Sequence, residues 1–379
     1  MKRRSFVKRL SASAGLVCAG GHVCDIVCGS LENAYAFGYE ESLSDVEAKY
    51  YRKLPEDVVV CELCPRECLV SDVERGFCGV RENQGGIYKT LVHSRVCSMN
   101  VDPIEKKPFF HFHPGTTAFS VATAGCNVNC KFCQNWDISQ VRPEQVRNVL
   151  LTPDTLANEC VNRKIPTIAY TYSEPVVFYE YMYDAAVRSR QDGIKNVVVT
   201  GGYIKEKPLR DLLKVVDAVK VDLKSFSEQY YKDIVNGELQ PVLDALKVIH
   251  ENGTWLEIVY LVVPTLNDKD DELTALCKWV KSDLSADVPV HFTRFHPTYL
   301  MTNLPPTPVA TLERAYRIAR NEGLHYPYVG NVPGNKGENT YCPGCGEVLI
   351  ERYGYRIGQN RIVDGKCAKC GMTIPGVWR

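Results

Sequence analysis

The sequence predicts an α/β fold, a parallel sheet joined by crossover helices, with cysteine-rich modules on either side of it. Three observations predict it. From about Thr117, short apolar runs rich in β-branched residues alternate with longer helix-like segments. The runs, at 118–122, 167–171, 196–200, 218–223, 256–263 and 288–295, are too short for buried helices and suit strands covered on both faces. Alternation over this many units implies parallel pairing through helical crossovers. Periodicity alone leaves two outcomes open, an open doubly wound sheet or a partial barrel. In both, chemistry gathers at the C-terminal ends of the strands.

The connecting elements follow in order. A helix-like stretch at 40–53 comes first. A cysteine-rich segment at 61–78, punctuated by Pro65, Gly76 and Gly79, reads as metal-nucleated loops. Thr152 caps a helix that opens with Pro153. A second helix runs from about Val176 towards Gly193, and a third at 240–251 stops at Gly253. Further helices cover 270–281 and 311–322, and 331–335 reads as a linker to a C-terminal cysteine module. The resulting partition is a leader at 1–36, a cysteine-rich segment at 37–115, a core at 116–335 and a terminal module at 336–379.

Composition narrows the class. The chain has 379 residues and balances 45 Lys+Arg with 45 Asp+Glu, which gives no basic stripe for nucleic acid. Its 17 cysteines fall largely in short clusters, and such clusters in a large α/β chain point to metal rather than disulfides. Arg3-Arg4-Ser5-Phe6-Val7-Lys8, a weakly apolar stretch and Ala34-Tyr35-Ala36 together resemble a cleavable twin-arginine export signal. That signal would send the protein to the periplasm or cell exterior; an unused leader would leave it in the cytoplasm. The stretch is broken by Gly20, Gly21, His22 and Asp25, so no transmembrane span is expected in the mature chain.

The central cluster is Cys126, Cys130 and Cys133, spaced C-x3-C-x2-C just past the first predicted strand. Three thiolates on one tight loop can ligate three irons of a cubane cluster and leave the fourth iron open. A structural zinc usually takes four ligands, so three on one loop suit it less well. With Phe132 as the aromatic before Cys133, the motif is similar to the signature of the radical S-adenosylmethionine (SAM) superfamily. The resemblance implies a 4Fe-4S cluster whose open iron is chelated by SAM. It implies reductive cleavage of SAM to methionine and a 5′-deoxyadenosyl radical, driven by a low-potential electron donor.

Later strand ends fit this reading. Tyr172-Ser173-Glu174-Pro175 resembles the Gly-Gly-Glu-Pro element that holds SAM's amino group, with Tyr172-Ser173 in place of the two glycines. A carboxylate at Glu174 suits an ammonium, and the same segment also suits a helix N-terminus. Thr200-Gly201-Gly202 allows close backbone approach to a ligand or forms a plain turn. Lys220, Asp222 and Lys224 share one face of the fourth strand. Three charges there suit a polar cavity next to SAM or substrate, or else pair with one another. His291, Arg294 and His296 mark the sixth strand and its exit, where each could line the site or serve the fold alone.

Two outer cysteine sets complete the inventory. Cys342, Cys345, Cys367 and Cys370 form paired C-x2-C knuckles that suit tetrahedral zinc in a zinc-ribbon-like module, with iron as the rival. Cys61, Cys64, Cys68 and Cys78 form a second four-ligand set for zinc or an iron–sulfur cluster. Leu63-Cys64-Pro65-Arg66-Glu67-Cys68, the stretches 76–83 and 101–108, Cys133-Gln134-Asn135-Trp136 and the closing 367–378 segment resemble AmmeMemoRadiSam-system radical SAM proteins, relatives of pyruvate formate-lyase activating enzyme. That resemblance implies a partial (β/α)6 TIM-like barrel and association with Memo-like and Ammecr-like proteins. It supplies no substrate. A glycyl-radical activase acting on a protein partner is the narrower form, and an iron–sulfur electron-transfer or metal-handling protein is the non-enzymatic rival.

Overall fold

The computed structural model describes residues 39–378; the leader at 1–36 lies outside the described residues. The described chain is organised around an eight-stranded sheet. Its strands are β1 (Ser98–Pro103), β2 (Thr117–Ala122), β3 (Thr167–Tyr170), β4 (Lys195–Thr200), β5 (Ala218–Asp222), β6 (Trp255–Val262), β7 (Val290–Arg294) and β8 (Pro327–Gly330). They lie side by side in sequence order, and β1 and β8 do not pair with each other. Only β1 is antiparallel to its neighbour; β2 to β8 are parallel throughout. Six helices fill the crossovers: α1 (Pro153–Asn162), α2 (Tyr179–Arg190), α3 (Glu206–Leu212), α4 (Gln240–Glu251), α5 (Asp270–Trp279) and α6 (Val309–Asn321). This is the partial barrel of six βα units with a closing strand.

The six predicted runs become β2 to β7, each within about two residues of its expected limits. As expected, Thr152 caps α1 and accepts a hydrogen bond from the Thr155 amide at 3.2 Å. Three of these elements went unseen: α3, β1 and the closing strand β8. α3 is short and carries Pro208, which reads as a breaker but sits in the first turn, where no amide is needed. β1 is polar: it is an edge strand, and most of its residues are only half-buried.

The 40–53 stretch is not helical. It forms short strands at Val46–Glu47 and Tyr51–Lys53, which pair with Lys89–Thr90 and with Val59–Cys61. Tertiary pairing overrides helical propensity here, helped by a positive φ of 57° at Tyr50. The following cysteine segment is likewise more regular than expected, with short antiparallel strands between its loops.

The N-terminal mouth of the barrel is plugged. Phe109 and Phe112 pack against Ala118, Ala169 and Ala218, small residues of β2, β3 and β5. Phe110, Tyr326 and Tyr328 join Cys342, Leu349, Ile350, Cys367 and Ile374 in a second core, so the terminal cysteine module packs directly under the barrel. Beneath the plug, Glu257 accepts from the amides of Phe110 and His111 at 3.0 and 2.8 Å and from His291 Nε2 at 2.7 Å. Among the described residues, no helix is long and apolar enough to cross a membrane.

Candidate active site

The opposite, C-terminal mouth collects the predicted site residues. The cysteine loop leaves β2 and is held by every neighbouring strand exit. Ser173 Oγ, just after β3, donates to Thr123 O at 2.7 Å. Asn127 Nδ2 donates to Tyr203 O, beyond β4, at 2.7 Å. The amides of Asn129 and Lys131 donate to Val235 and Ile234, beyond β5, at 3.0 Å each. Cys130 is buried, Cys126 and Cys133 partly so, and Cys133 Sγ lies 3.1 Å from Ser139 Oγ. Phe132 is buried and its ring centroid is 6.2 Å from that of Tyr230.

Glu174 caps the 3₁₀ turn at Pro175–Phe178 and is almost fully buried. Its Oε1 accepts from Thr200 Oγ1 at 2.5 Å and from Val176 N at 3.1 Å; its Oε2 accepts from Gly201 N at 2.8 Å. Burial pushes its carboxyl pKa up against these three donors. A Cβ on Gly201 would stand 3.3 Å from Oε2, so glycine keeps that oxygen clear. Gly202 has φ +71°, and a Cβ there would meet Val221 at 2.9 Å, so this turn demands glycine.

Asp222 takes both lysines of its face. Lys220 pairs with Oδ1 and Lys224 Nζ lies 3.0 Å from Oδ2. Burial raises the Asp222 pKa, but the two lysines outweigh it and hold the carboxyl at about 2. Burial also opposes the charge of Lys224, yet Asp222 and the neighbouring Cys130 sulfur hold its pKa above the usual range. The charged face is therefore paired internally, as the second expectation had it, and Lys224 adjoins the cysteine loop at Cys130. His291 belongs to the sealed floor with Glu257, Arg294 donates to Thr307 O at 2.8 Å, and His296 is exposed.

Three cysteine sulfurs on one loop suit an iron–sulfur cluster. Burial raises the thiol pKa of Cys126 well above the ordinary range and that of Cys130 to about 12, with Lys224 opposing at Cys130. Among the described residues, only Cys342, Cys345, Cys367 and Cys370 bring metal-ligating atoms all within 4.8 Å of one another. There Cys342 and Cys370 sulfurs are 3.6 Å apart, and Cys345 and Cys367 sulfurs 3.8 Å. A tetrahedral zinc with ~2.3 Å arms has sulfur–sulfur edges of about 3.8 Å, so this group can hold a metal such as zinc. The central trio is more widely spread, as separate cluster corners require.

Supporting residues missed in the sequence are Ser139, Asn127, Gly125 and Arg66. Gly125 has φ +97° and packs on Val80 and Cys78, while Arg66 binds the carbonyls of Asn127 and Asn236. Asparagine and glycine inside a cysteine loop were the available signal.

Several known proteins are similar to this chain. Residues 120–277 match the family described as the radical SAM superfamily. An uncharacterized protein of Methanocaldococcus jannaschii is 44% identical over 330 residues, covering 86% of this chain and 98% of that one. The pyruvate formate-lyase-activating enzyme of Clostridium pasteurianum is 24% identical over 161 residues, 42% of this chain and 67% of that one. A solved radical SAM methyltransferase from Sphaerobacter thermophilus overlaps 60% of this chain and 71% of its own at 19% identity and a TM-score of 0.44. The chain belongs to the radical SAM superfamily. It is a radical SAM enzyme, and a 4Fe-4S cluster and SAM follow from that membership.

Proposed function

We propose that Cys126, Cys130 and Cys133 hold the 4Fe-4S cluster and that the mouth above β3 to β5 binds SAM for radical generation. When bound, the cluster and SAM supply a one-electron cleavage that yields a 5′-deoxyadenosyl radical. One observation carries the residue assignment: Glu174 uses three of its roughly four acceptor positions on Thr200, Val176 and Gly201, and leaves one on Oε2 beside the cysteine loop. That vacancy suits an ammonium group, as in SAM's amino acid portion. Thr200 and Gly201 orient the carboxylate, and Gly202 lets the chain turn away without crowding it. Ser173 acts by pinning the loop through Thr123, and Phe132 by shielding it from water against Tyr230. Asp222 fixes Lys220 and Lys224, so that Lys224 keeps its positive charge beside Cys130 and balances the thiolates.

Cys342, Cys345, Cys367 and Cys370 take zinc in this reading. The N-terminal and terminal motifs resemble AmmeMemoRadiSam-system proteins, which supports work alongside Memo-like or Ammecr-like partners. A second reading, activation of a protein by glycyl-radical formation, is favoured by similarity to activating enzymes. The test is anaerobic reconstitution with iron, sulfide, SAM and a strong reductant. Formation of 5′-deoxyadenosine that is lost in Cys130→Ala is expected. Its absence from the wild type under several reductants would leave an electron-transfer or metal-handling protein instead.

A further inference from the structure

Cys61, Cys64, Cys68 and Cys78 lie outside the SAM mouth, yet all four line one closed cavity. Phe77 N donates to Cys68 Sγ at 3.5 Å. The guanidinium of Arg81, buried and paired with Glu180, borders the same cavity and adds positive charge.

Two features separate a cluster from a single ion. The four sulfurs do not converge as the terminal set does, since no three of them share a 4.8 Å neighbourhood. A cluster distributes its thiolates over several irons, whereas one tetrahedral zinc draws them together. Tyr88 supplies the second feature. It is fully buried, its hydroxyl has no hydrogen-bond partner, and it lines this cavity beside Gly76 and Cys68. A buried hydroxyl without an acceptor is costly, and inorganic sulfide provides one.

The cavity also abuts the SAM loop. A Cβ on Gly125 would stand 2.8 Å from Cys78 O and 2.6 Å from a Val80 methyl, so the two cysteine segments touch directly beside Cys126. Asn127 lines the cavity, and Arg66 Nε donates to Asn127 O at 2.5 Å. Cys78 and Cys126 share the wall of an outer cleft of about 900 Å³.

We propose that Cys61, Cys64, Cys68 and Cys78 bind a second iron–sulfur cluster, coordinatively closed, that passes single electrons to the cluster of Cys126, Cys130 and Cys133. Four cysteines leave no iron open to SAM, so electron transfer is the chemistry available. An external low-potential one-electron donor reduces the closed cluster. In the next step that cluster loses one electron and the SAM-binding cluster gains one, with no bond made or broken. Only the direction of flow rests on the function proposed above.

The test uses the full chain reconstituted anaerobically with iron and sulfide in the presence of zinc. The triple variant Cys126→Ala/Cys130→Ala/Cys133→Ala is expected to retain iron and acid-labile sulfide and, when reduced, an EPR signal that SAM leaves unchanged. Zinc in this set without iron would overturn the cluster. Should the triple variant fail to fold, the wild type decides by the same readout: it is expected to show two signals, of which SAM perturbs one. A single signal, wholly perturbed by SAM, would overturn the second cluster. Absence of any SAM-sensitive signal would instead sink the function proposed above. In Tyr88→Phe, the SAM-insensitive cluster's potential is expected to fall, since a hydrogen bond to sulfur is lost; an unmoved potential would remove the hydroxyl from the argument. With a limiting donor, rapid-freeze EPR of the wild type is expected to show the SAM-insensitive signal first, then its transfer. Earlier reduction of the SAM-sensitive cluster would overturn the relay.

Discussion

The two mouths of this barrel both bury carboxylates among strand residues, and they differ in how fully those carboxylates are used. At the floor, Glu257 receives the amides of Phe110 and His111, Trp255 Nε1 at 3.1 Å and His291 Nε2, so every acceptor position is filled. His291 is in turn stacked on Tyr328 with ring centroids 5.0 Å apart, and the plug closes the space around it. At the top, Glu174 keeps one position vacant beside three cysteines. A saturated buried carboxylate serves the fold, whereas an unsaturated one still has a position to offer a ligand. Saturation makes the floor structural, although it too holds titratable groups.

Glu257→Ala breaks the comparison hardest. It strands the donors of the floor and should destabilise the fold by about 3–5 kcal/mol, read by denaturant unfolding of the apoprotein. Asp102 lies between the mouths, accepting from Lys106 at 2.9 Å, Lys107 at 2.6 Å and Tyr172. Burial raises its pKa, but Lys107 leads the groups that outweigh this and hold the carboxyl at about 2, against 3.8 for a free side chain. A carboxyl depressed by folding stabilises the protein above the unfolded pKa and stops doing so as pH falls through the folded one. Asp102 should thus contribute roughly 2 kcal/mol near neutrality that disappears between about pH 4 and pH 2. Asp102→Asn should flatten that part of the acid-unfolding curve. Glu174→Gln sharpens the contrast at the top. It keeps the shape and the cluster but removes the charge, so SAM should bind about tenfold more weakly, near 1.4 kcal/mol, with little change in unfolding. A Glu174→Gln protein that unfolds as easily as Glu257→Ala, yet binds SAM normally, would erase the distinction between the mouths.

The top of the barrel was legible in the sequence and the floor was not. The cysteine spacing, the Glu174-Pro175 step and the charges of β5 are local patterns, and strand periodicity already places them at strand exits. The floor is assembled from Phe109 to His113, Glu257, His291 and Tyr328, which are far apart in the chain and individually unremarkable. A glutamate within the apolar β6 was the one local sign, and its meaning depends on partners that only the fold supplies. The 40–53 stretch failed for the same reason: its strands exist because of the edges they meet. The charges on β5 were legible as a group, but their mutual pairing depends on rotamers that strand alternation does not specify.

The seam between Phe112 and Val377 has a consequence for biogenesis. His111 O accepts from Val377 N and His113 N donates to Val377 O, each at 2.7 Å, so residues far apart in the chain seal the floor together. On a ribosome that delivers the chain from its N-terminal side, the cysteine loop and all eight strands emerge before Val377 does. The segment that carries Cys126, Cys130 and Cys133 has thus left the ribosome while the opposite end still lacks Val377, and the floor can be sealed only after those cysteines have emerged.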